Sequence, residues 1–332
     1  MDIKKRRIGK TSLHVTELGF GGTAIGGLYH ACPRDQALET LDTAWRAGIR
    51  LFDNAPLYGY GLSERILGDY LRDKQRDEYV LVTKVGRPLR PLRARESHNE
   101  IFVGGLPFDI EHDYSYEGVM RSVEQSYARL GLNCIDILLV HDLGEMTHGA
   151  EAAAHHMRQF LDGGLKALQA LKAAGEISAY GLGVNEIPVC LELMRHATID
   201  CILLAGRHTL LDRSAEAELI PLCRDRGTSL IIGGVFNSGI LATGPRPGAH
   251  FNYGPASQEI LDRVSKMQKI ADAGGYPLPA AALQFALRSD VVASVLLSTG
   301  RPDSLRRNLS LFDVTVGETE FSRFEELRVA GT

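Results

Sequence analysis

Tyr79-Val-Leu-Val-Thr-Lys-Val85 and Ile135-Asp-Ile-Leu-Leu-Val-His141 are short runs rich in Val, Ile and Leu, separated by sequence of helical periodicity. Such runs have the composition of strands buried on both faces, as in a parallel sheet covered by helices. Outward from them, similar runs recur at 17–21, 50–53, 179–184, 201–205, 228–233 and 292–298. Amphipathic helical patterns fill the intervals, at 33–47, 63–72, 115–130, 155–174, 186–196, 214–226, 257–273, 279–288 and 302–309. Pro33, Pro279 and Pro302 open helices, where a missing N–H and a fixed φ are tolerated. Eight strands alternating with helices predict a closed parallel (β/α)8 TIM barrel, an α/β fold occupying residues 1–332 as one domain. Residues 3–15 precede the first unit and are expected to form a hairpin plugging the bottom of the barrel.

The chain carries 37 Lys+Arg against 41 Asp+Glu, a formal net charge of −4. That balance argues against general nucleic-acid binding, which needs a basic face to displace phosphate counterions. No apolar run approaches the ~18 residues of a membrane span. Lys4, Lys5, Arg6 and Arg7 are followed by no apolar core, so they read as a solvated edge and not as a signal peptide. Cys32, Cys134, Cys190, Cys201 and Cys223 form no Cys-x-x-Cys pair and read as packing residues of a reduced, cytoplasmic protein. The pairs His141/His148 and His155/His156 match no zinc spacing, and no metal is expected.

The connections 86–114, 142–154 and 236–256 each follow a strand and precede a helix, which puts all three on the C-terminal face of the barrel. Loops of that length usually carry function, and barrel enzymes keep their chemistry on this face. Strand ends point to the same place. Asp53 closes the second strand, where an isolated buried carboxylate would be costly. Lys84 interrupts the apolar third strand and needs a partner equally. His141 ends the fourth strand at the matching level, and Tyr58 follows Asp53 closely enough to fold back over the mouth. Singly, each has a plain reading: Asp53 as a cap, Tyr58 as a loop aromatic, Lys84 as a snorkelling side chain, His141 as a satisfied polar group. Together they suit proton transfer. A phenol with a pKa near ~10 is a poor acid–base group at neutral pH, but a close Lys⁺ is expected to lower it while the Asp holds the Lys. Such a phenol exchanges a proton with a carbonyl or alcohol oxygen, oriented by His141, while hydride moves on the carbon. No side chain supplies or stores a hydride, so a nicotinamide is implied.

Gly19-Phe-Gly-Gly-Thr23, Phe52-Asp-Asn-Ala-Pro-Leu-Tyr58-Gly, Val82-Thr-Lys84-Val-Gly, the stretch Ser126 to His141, Gly181-Leu-Gly-Val-Asn185 and Arg301-Pro-Asp-Ser-Leu-Arg-Arg-Asn308 together resemble an aldo-keto reductase, over nearly the whole chain. The resemblance implies a catalytic tetrad of Asp53, Tyr58, Lys84 and His141. Ala55-Pro-Leu-Tyr-Gly-Tyr-Gly-Leu-Ser-Glu64, His141-Asp142, Gly183-Val-Asn185-Glu186 and Gly234-Val-Phe-Asn-Ser-Gly239 are similar to the sugar and pyridoxal dehydrogenase branch of that family. That branch includes D-threo-aldose 1-dehydrogenase (L-fucose dehydrogenase), L-galactose dehydrogenase and pyridoxal 4-dehydrogenase. It implies NAD(P)-dependent oxidation of an aldose of the L-fucose, D-arabinose or L-galactose type at C1, hemiacetal to lactone, with Tyr58 as general base. The alternatives are an NADPH-dependent aldehyde or ketone reductase, a pyridoxal 4-dehydrogenase, an aldolase using Lys84 as a Schiff base, and a cofactor-sensing regulatory subunit resembling potassium-channel β subunits. In each enzyme reading the partner is a small molecule, and oligomeric state stays open.

Gly19-Phe-Gly21-Gly-Thr-Ala24 also matches the dinucleotide pattern G-x-G-x-x-G/A. No helix opens at once, because residues 25–33 intervene, so the glycines read as backbone approaching a ligand in a barrel loop. By the resemblance, the cofactor-binding positions are Gly22, Thr23, Ala24, Asp53, Asn185, Phe236, Asn237, Gly239, Leu241, Ser298, Thr299, Gly300, Arg301 and Asn308. Asn185-Glu186 stands where the family has a Ser-Asn pair, Ala205 where it has an amide-binding Gln, and Gly233 where a Tyr stacks on the nicotinamide; Phe236 is a candidate substitute. Ser298 and Ser304 stand where NADP-preferring members carry a Lys and an Arg. Loss of two cations weakens recognition of a 2′-phosphate, so NAD is favoured, with NADP left open through Arg301. Arg306 and Arg307 read as a solvated helix face.

Overall fold

The computed structural model describes residues 3–93 and 101–329. The eight apolar runs form β1 (Leu18–Gly21), β2 (Leu51–Asp53), β3 (Val80–Val85), β4 (Ile137–His141), β5 (Ala179–Val184), β6 (Cys201–Ala205), β7 (Ser229–Gly233) and β8 (Val292–Leu297). They pair in chain order, all parallel, and β8 returns to β1 to close the expected barrel. One register shift occurs, between Leu230 and Ile231 where β7 meets β8.

Strand alternation decides which side chains face the axis. Leu51 and Asp53 on β2, Val80, Val82 and Lys84 on β3, and Ile137, Leu139 and His141 on β4 share the inward parity. The apolar members fill the lower barrel with Leu203 and Ile231, and Ile8 and Val15 of the N-terminal hairpin close that cluster from below. This hairpin, Lys5–Arg7 paired with His14–Thr16, is the expected plug. Gly9 N–H donates to Ser229 Oγ at 2.8 Å, and the Arg6 guanidinium donates to the carbonyls of Leu287 and Val292, each at 2.8 Å. The outward parity of the strands packs beneath the helices in a larger core, against which Trp45 leans through Phe52, ring centroids 6.2 Å apart.

The C-terminal face carries the irregular chain. The connection after β3 holds a small hairpin, Leu89–Pro91 with Phe108–Ile110; its residues 94–100 lie outside the described residues. The connection after β7 holds a one-turn helix, Ile240–Thr243, and a ribbon of His250–Phe251 with Gly254–Pro255. The connection after β4 is shorter than the sequence suggests. Its helix, expected to begin at 155, begins at Glu145, runs to Gln159 and continues through a π-turn, Phe160–Gly164, into Leu165–Ala173. Two features conceal this start. Gly149 breaks the helical dihedrals with φ 72, and Ala153 is the one buried residue of Glu145–Gln159, so no apolar stripe marks it. Among the described residues, no helix is long and apolar enough to cross a membrane.

Candidate active site

At the top of the barrel the inward layer divides in two. Asp53, Lys84 and His141 project from three adjacent strands, while Gly21, Gly183, Ala205 and Gly233 occupy the corresponding strand ends of β1, β5, β6 and β7. The small residues leave a cavity of about 960 Å³ that opens between the long loops. A Cβ on Gly183 would stand 3.0 Å from Lys84 Cε, so a larger residue there would crowd the lysine.

Lys84 is almost fully buried, and its ammonium has three acceptors. Nζ donates to Asp53 Oδ1 at 2.7 Å and to the Asn54 carbonyl at 2.8 Å, and it hydrogen-bonds the Tyr58 hydroxyl. Burial alone would pull its pKa down; the charges of Asp53 and Tyr58 outweigh that and raise it. A protonated amine with all three N–H groups engaged is no nucleophile, which removes the basis for a Schiff-base reading.

Tyr58 departs from the sequence expectation. Its phenol pKa is raised, because burial outweighs the lowering charge of Lys84, with Asp53 adding to the rise; the Thr23 hydroxyl bonds it and works the other way. The lysine tunes the phenol downward as expected, but the net direction is up. The Tyr58 ring stands edge-on to His141, centroids 6.0 Å apart, and leans on Phe102 at 6.1 Å. Burial, then the charges of Arg87, Lys84 and His112, hold His141 well below its ordinary pKa, so the ring is neutral at pH 7. Nδ1 is buried with no hydrogen-bond partner among the described residues, while Nε2 lies 3.5 Å from Asp142 Oδ2. With the proton on Nε2, that nitrogen would be a donor into the cavity. Among the described residues, no group of three or more His, Cys, Asp or Glu side chains is arranged to hold a metal ion.

Several lining residues had no site role assigned from the sequence, Asp142 having been noted only as part of the motif His141-Asp142. Asp142, in a left-handed conformation (φ 43), accepts from Arg87 Nη2 at 3.0 Å and Asn185 Nδ2 at 3.2 Å. Tyr253, from the loop after β7, donates to Asn185 Oδ1 at 3.0 Å, and its neighbour Asn252 accepts from Arg207 Nη1 at 2.8 Å. Asp142 had a sequence signal, since it adjoins His141; Tyr253 and Arg207 had only their place in or after strand-end loops.

The family model for the aldo/keto reductase family matches residues 17–329. This chain belongs to the aldo/keto reductase family. It is an oxidoreductase of that family, whose members use nicotinamide cofactors. Pyridoxal 4-dehydrogenase of Microbacterium luteolum is 44% identical over 323 residues, 94% of each chain. D-threo-aldose 1-dehydrogenase of Pseudomonas sp is 36% identical over 328 residues, 96% of each chain. The solved holo form of an aldo-keto reductase from Bacillus halodurans superposes with a TM-score of 0.78 at 25% identity, covering 99% of this chain and 97% of its own.

The cavity suits a nicotinamide dinucleotide: it is large, floored by glycines, and reaches from the Asp53–Lys84 pair outward to Ser298 and Asn308. Of the cofactor positions expected from the resemblance, Thr23, Ala24, Asp53, Asn185, Phe236, Asn237, Gly239, Ser298 and Asn308 line it. Gly22, Leu241, Thr299, Gly300 and Arg301 do not. Leu241 is fully buried in a satellite core beside Ile240 and Leu210. Gly22 donates its N–H to the Asp53 carbonyl and packs on Asn54 and Ser63. Gly300 packs on Cys32, and its carbonyl accepts from Gln36 Nε2 at 2.6 Å. Arg301 is exposed at the start of the helix Pro302–Phe312, its N–H bonded to Thr299 Oγ1.

Proposed function

We propose that this chain catalyses NAD(P)-linked oxidation of a cyclic hemiacetal to a lactone, with an aldose of the L-fucose, D-arabinose or L-galactose type oxidised at C1. The observation that carries the reading is the Lys84 ammonium fixed between Asp53, Asn54 and Tyr58 beside a neutral His141. The bound nicotinamide would accept the hydride. His141 Nε2–H would hold the reacting oxygen, and Tyr58 would take the hydroxyl proton as general base. Lys84 would stabilise the phenolate before that transfer, and Asp53 would keep Lys84 charged and in place. The walls are two-sided, with Leu28, Leu57, Ile101 and Phe102 among apolar groups and Asp142, Arg207, His250 and Asn252 among polar ones. A sugar ring, with apolar C–H faces and a polar rim, matches such walls.

Pyridoxal is the second reading, favoured by the relative at 44% identity. Its aldehyde closes on the adjacent hydroxymethyl group to give a cyclic hemiacetal, the functional group that an aldose presents at C1. NAD is favoured over NADP because Ser298 and Ser304 stand where NADP-preferring members of the family carry a Lys and an Arg, with Arg301 the exposed cation that leaves NADP open. Five free thiols support a reducing, cytoplasmic setting. The test is initial-rate formation of reduced nicotinamide from NAD and from NADP with L-fucose, D-arabinose, L-galactose and pyridoxal. Turnover of an aldose with NAD is expected. Turnover of pyridoxal alone, or NADPH-driven aldehyde reduction with no sugar oxidised, would overturn the aldose reading.

A further inference from the structure

Asp142 has no part in the hydride and proton transfers just described, yet its Oδ2 stands 3.5 Å from His141 Nε2 in the cavity wall. Its side chain is 15% exposed and lines the cavity. The carboxylate is held from both ends: Oδ2 accepts from Arg87 Nη2 at 3.0 Å and Oδ1 from Asn185 Nδ2 at 3.2 Å. Arg87 is itself 5% exposed and supplies the countercharge that makes a buried carboxylate tolerable. A carboxylate has about four acceptor positions, so these two bonds leave capacity on each oxygen.

The direction of that spare capacity follows from the neighbouring imidazole. Asp142 Oδ2 and His141 Nε2 are 3.5 Å apart, beyond the range of a good hydrogen bond, so both can serve a third group between them and the cavity. A substrate oxygen accepting from Nε2–H at about 2.9 Å would be the reacting oxygen. The group then within reach of Oδ2 is the substituent on the adjacent carbon, in an aldose a hydroxyl, which donates to a carboxylate without adding charge. From this geometry we infer that Asp142 is a specificity-determining residue that accepts a hydrogen bond from the hydroxyl next to the oxidised carbon, the C2 hydroxyl of an aldose. The left-handed backbone at Asp142 (φ 43) fits a side chain turned toward the mouth, since a non-glycine residue keeps that conformation only where its surroundings enforce it. Arg87 and Asn185 act as positioning residues for the carboxylate.

The inference rests on the aldose reading, and the experiment separates the two. The probes are D-arabinose and 2-deoxy-D-ribose, which is D-arabinose lacking the C2 hydroxyl, each assayed for kcat/KM with NAD. Wild-type protein is expected to prefer D-arabinose by about 10–100-fold, the range for a hydrogen bond to a charged acceptor. Asp142→Asn should lose most of that preference, falling by a similar factor on D-arabinose and little on the deoxy sugar. Asp142→Glu keeps the charge beside Arg87 but displaces the carboxylate, and it should narrow the ratio too. NADH binding by calorimetry verifies that each variant is folded. Equal rates on both sugars with wild type, or an equal loss on both in the Asn variant, would overturn the inference and leave the aldose reading standing. No Tyr58-dependent turnover of either sugar, nor of L-fucose or L-galactose, would overturn both.

Discussion

Thr83 and Lys84 are adjacent on one strand, yet they serve two buried charge clusters of opposite purpose. Thr83 points outward, where its hydroxyl donates to Glu64 Oε1 at 2.6 Å; Glu64, itself fully buried on the helix Leu62–Leu71, also accepts from Arg129 Nε at 2.5 Å. Lys84 points inward to Asp53 and Tyr58. Both clusters pair a carboxylate with a cation in a dry setting, where removing one partner strands the other. The outer cluster is closed: helix, strand and helix are tied together and no member lines the cavity. The inner cluster ends on a phenol that does line it. Burial of charge therefore marks a site only when one of its members opens onto ligand space.

Three substitutions break or sharpen that contrast. Tyr58→Phe removes the open end of the inner cluster, and turnover should fall by at least ~10²–10⁴-fold, the usual worth of a positioned acid–base group. Cofactor affinity measured by fluorescence titration should stay within about twofold, and retained turnover would take Tyr58 out of the proton transfer. Lys84→Met acts next. Phenolate is the base for oxidation, so kcat/KM should climb with pH until Tyr58 is deprotonated; burial already raises that limb and Lys84 restrains it. Loss of Lys84 should move the limb to higher pH or extinguish activity, and an unchanged profile would sink the coupling between the two residues. Glu64→Ala breaks the outer cluster instead. Stability should drop by about 3–5 kcal/mol, the cost of stranding a buried partner, while kcat/KM of the folded fraction stays within about twofold. Denaturant melts paired with assays at low temperature would test this, and a specific loss of kcat would place Glu64 in the site after all.

The eight strands were legible because dense Val, Ile and Leu leave few other readings, and the strand ends and the cost of isolated buried charge brought Asp53, Lys84 and His141 to one level without any coordinates. Their shared inward parity came from the structure. The helix Glu145–Gln159 was not legible, since Gly149 breaks it and Ala153 is its one buried residue, so the periodic stripe on which such a reading depends is missing. Tyr58 was placed with the right neighbours but with the wrong net shift. A sequence shows which charges can come near a phenol, but not how much water the fold removes from it, and here desolvation exceeds the Lys84 charge.

Sequence alone thus determined the barrel, the height of the site and the residues at the ends of β2, β3 and β4, because each depends on spacing along one strand. Only the tertiary structure decided that Arg87, Asp142, Asn185 and Tyr253 form one hydrogen-bonded line over the mouth. These residues follow four different strands, the neighbours β3, β4 and β5 and, across the mouth, β7. Their meeting depends on how the closed barrel aims its loops, a relation between distant parts of the chain that no local pattern encodes.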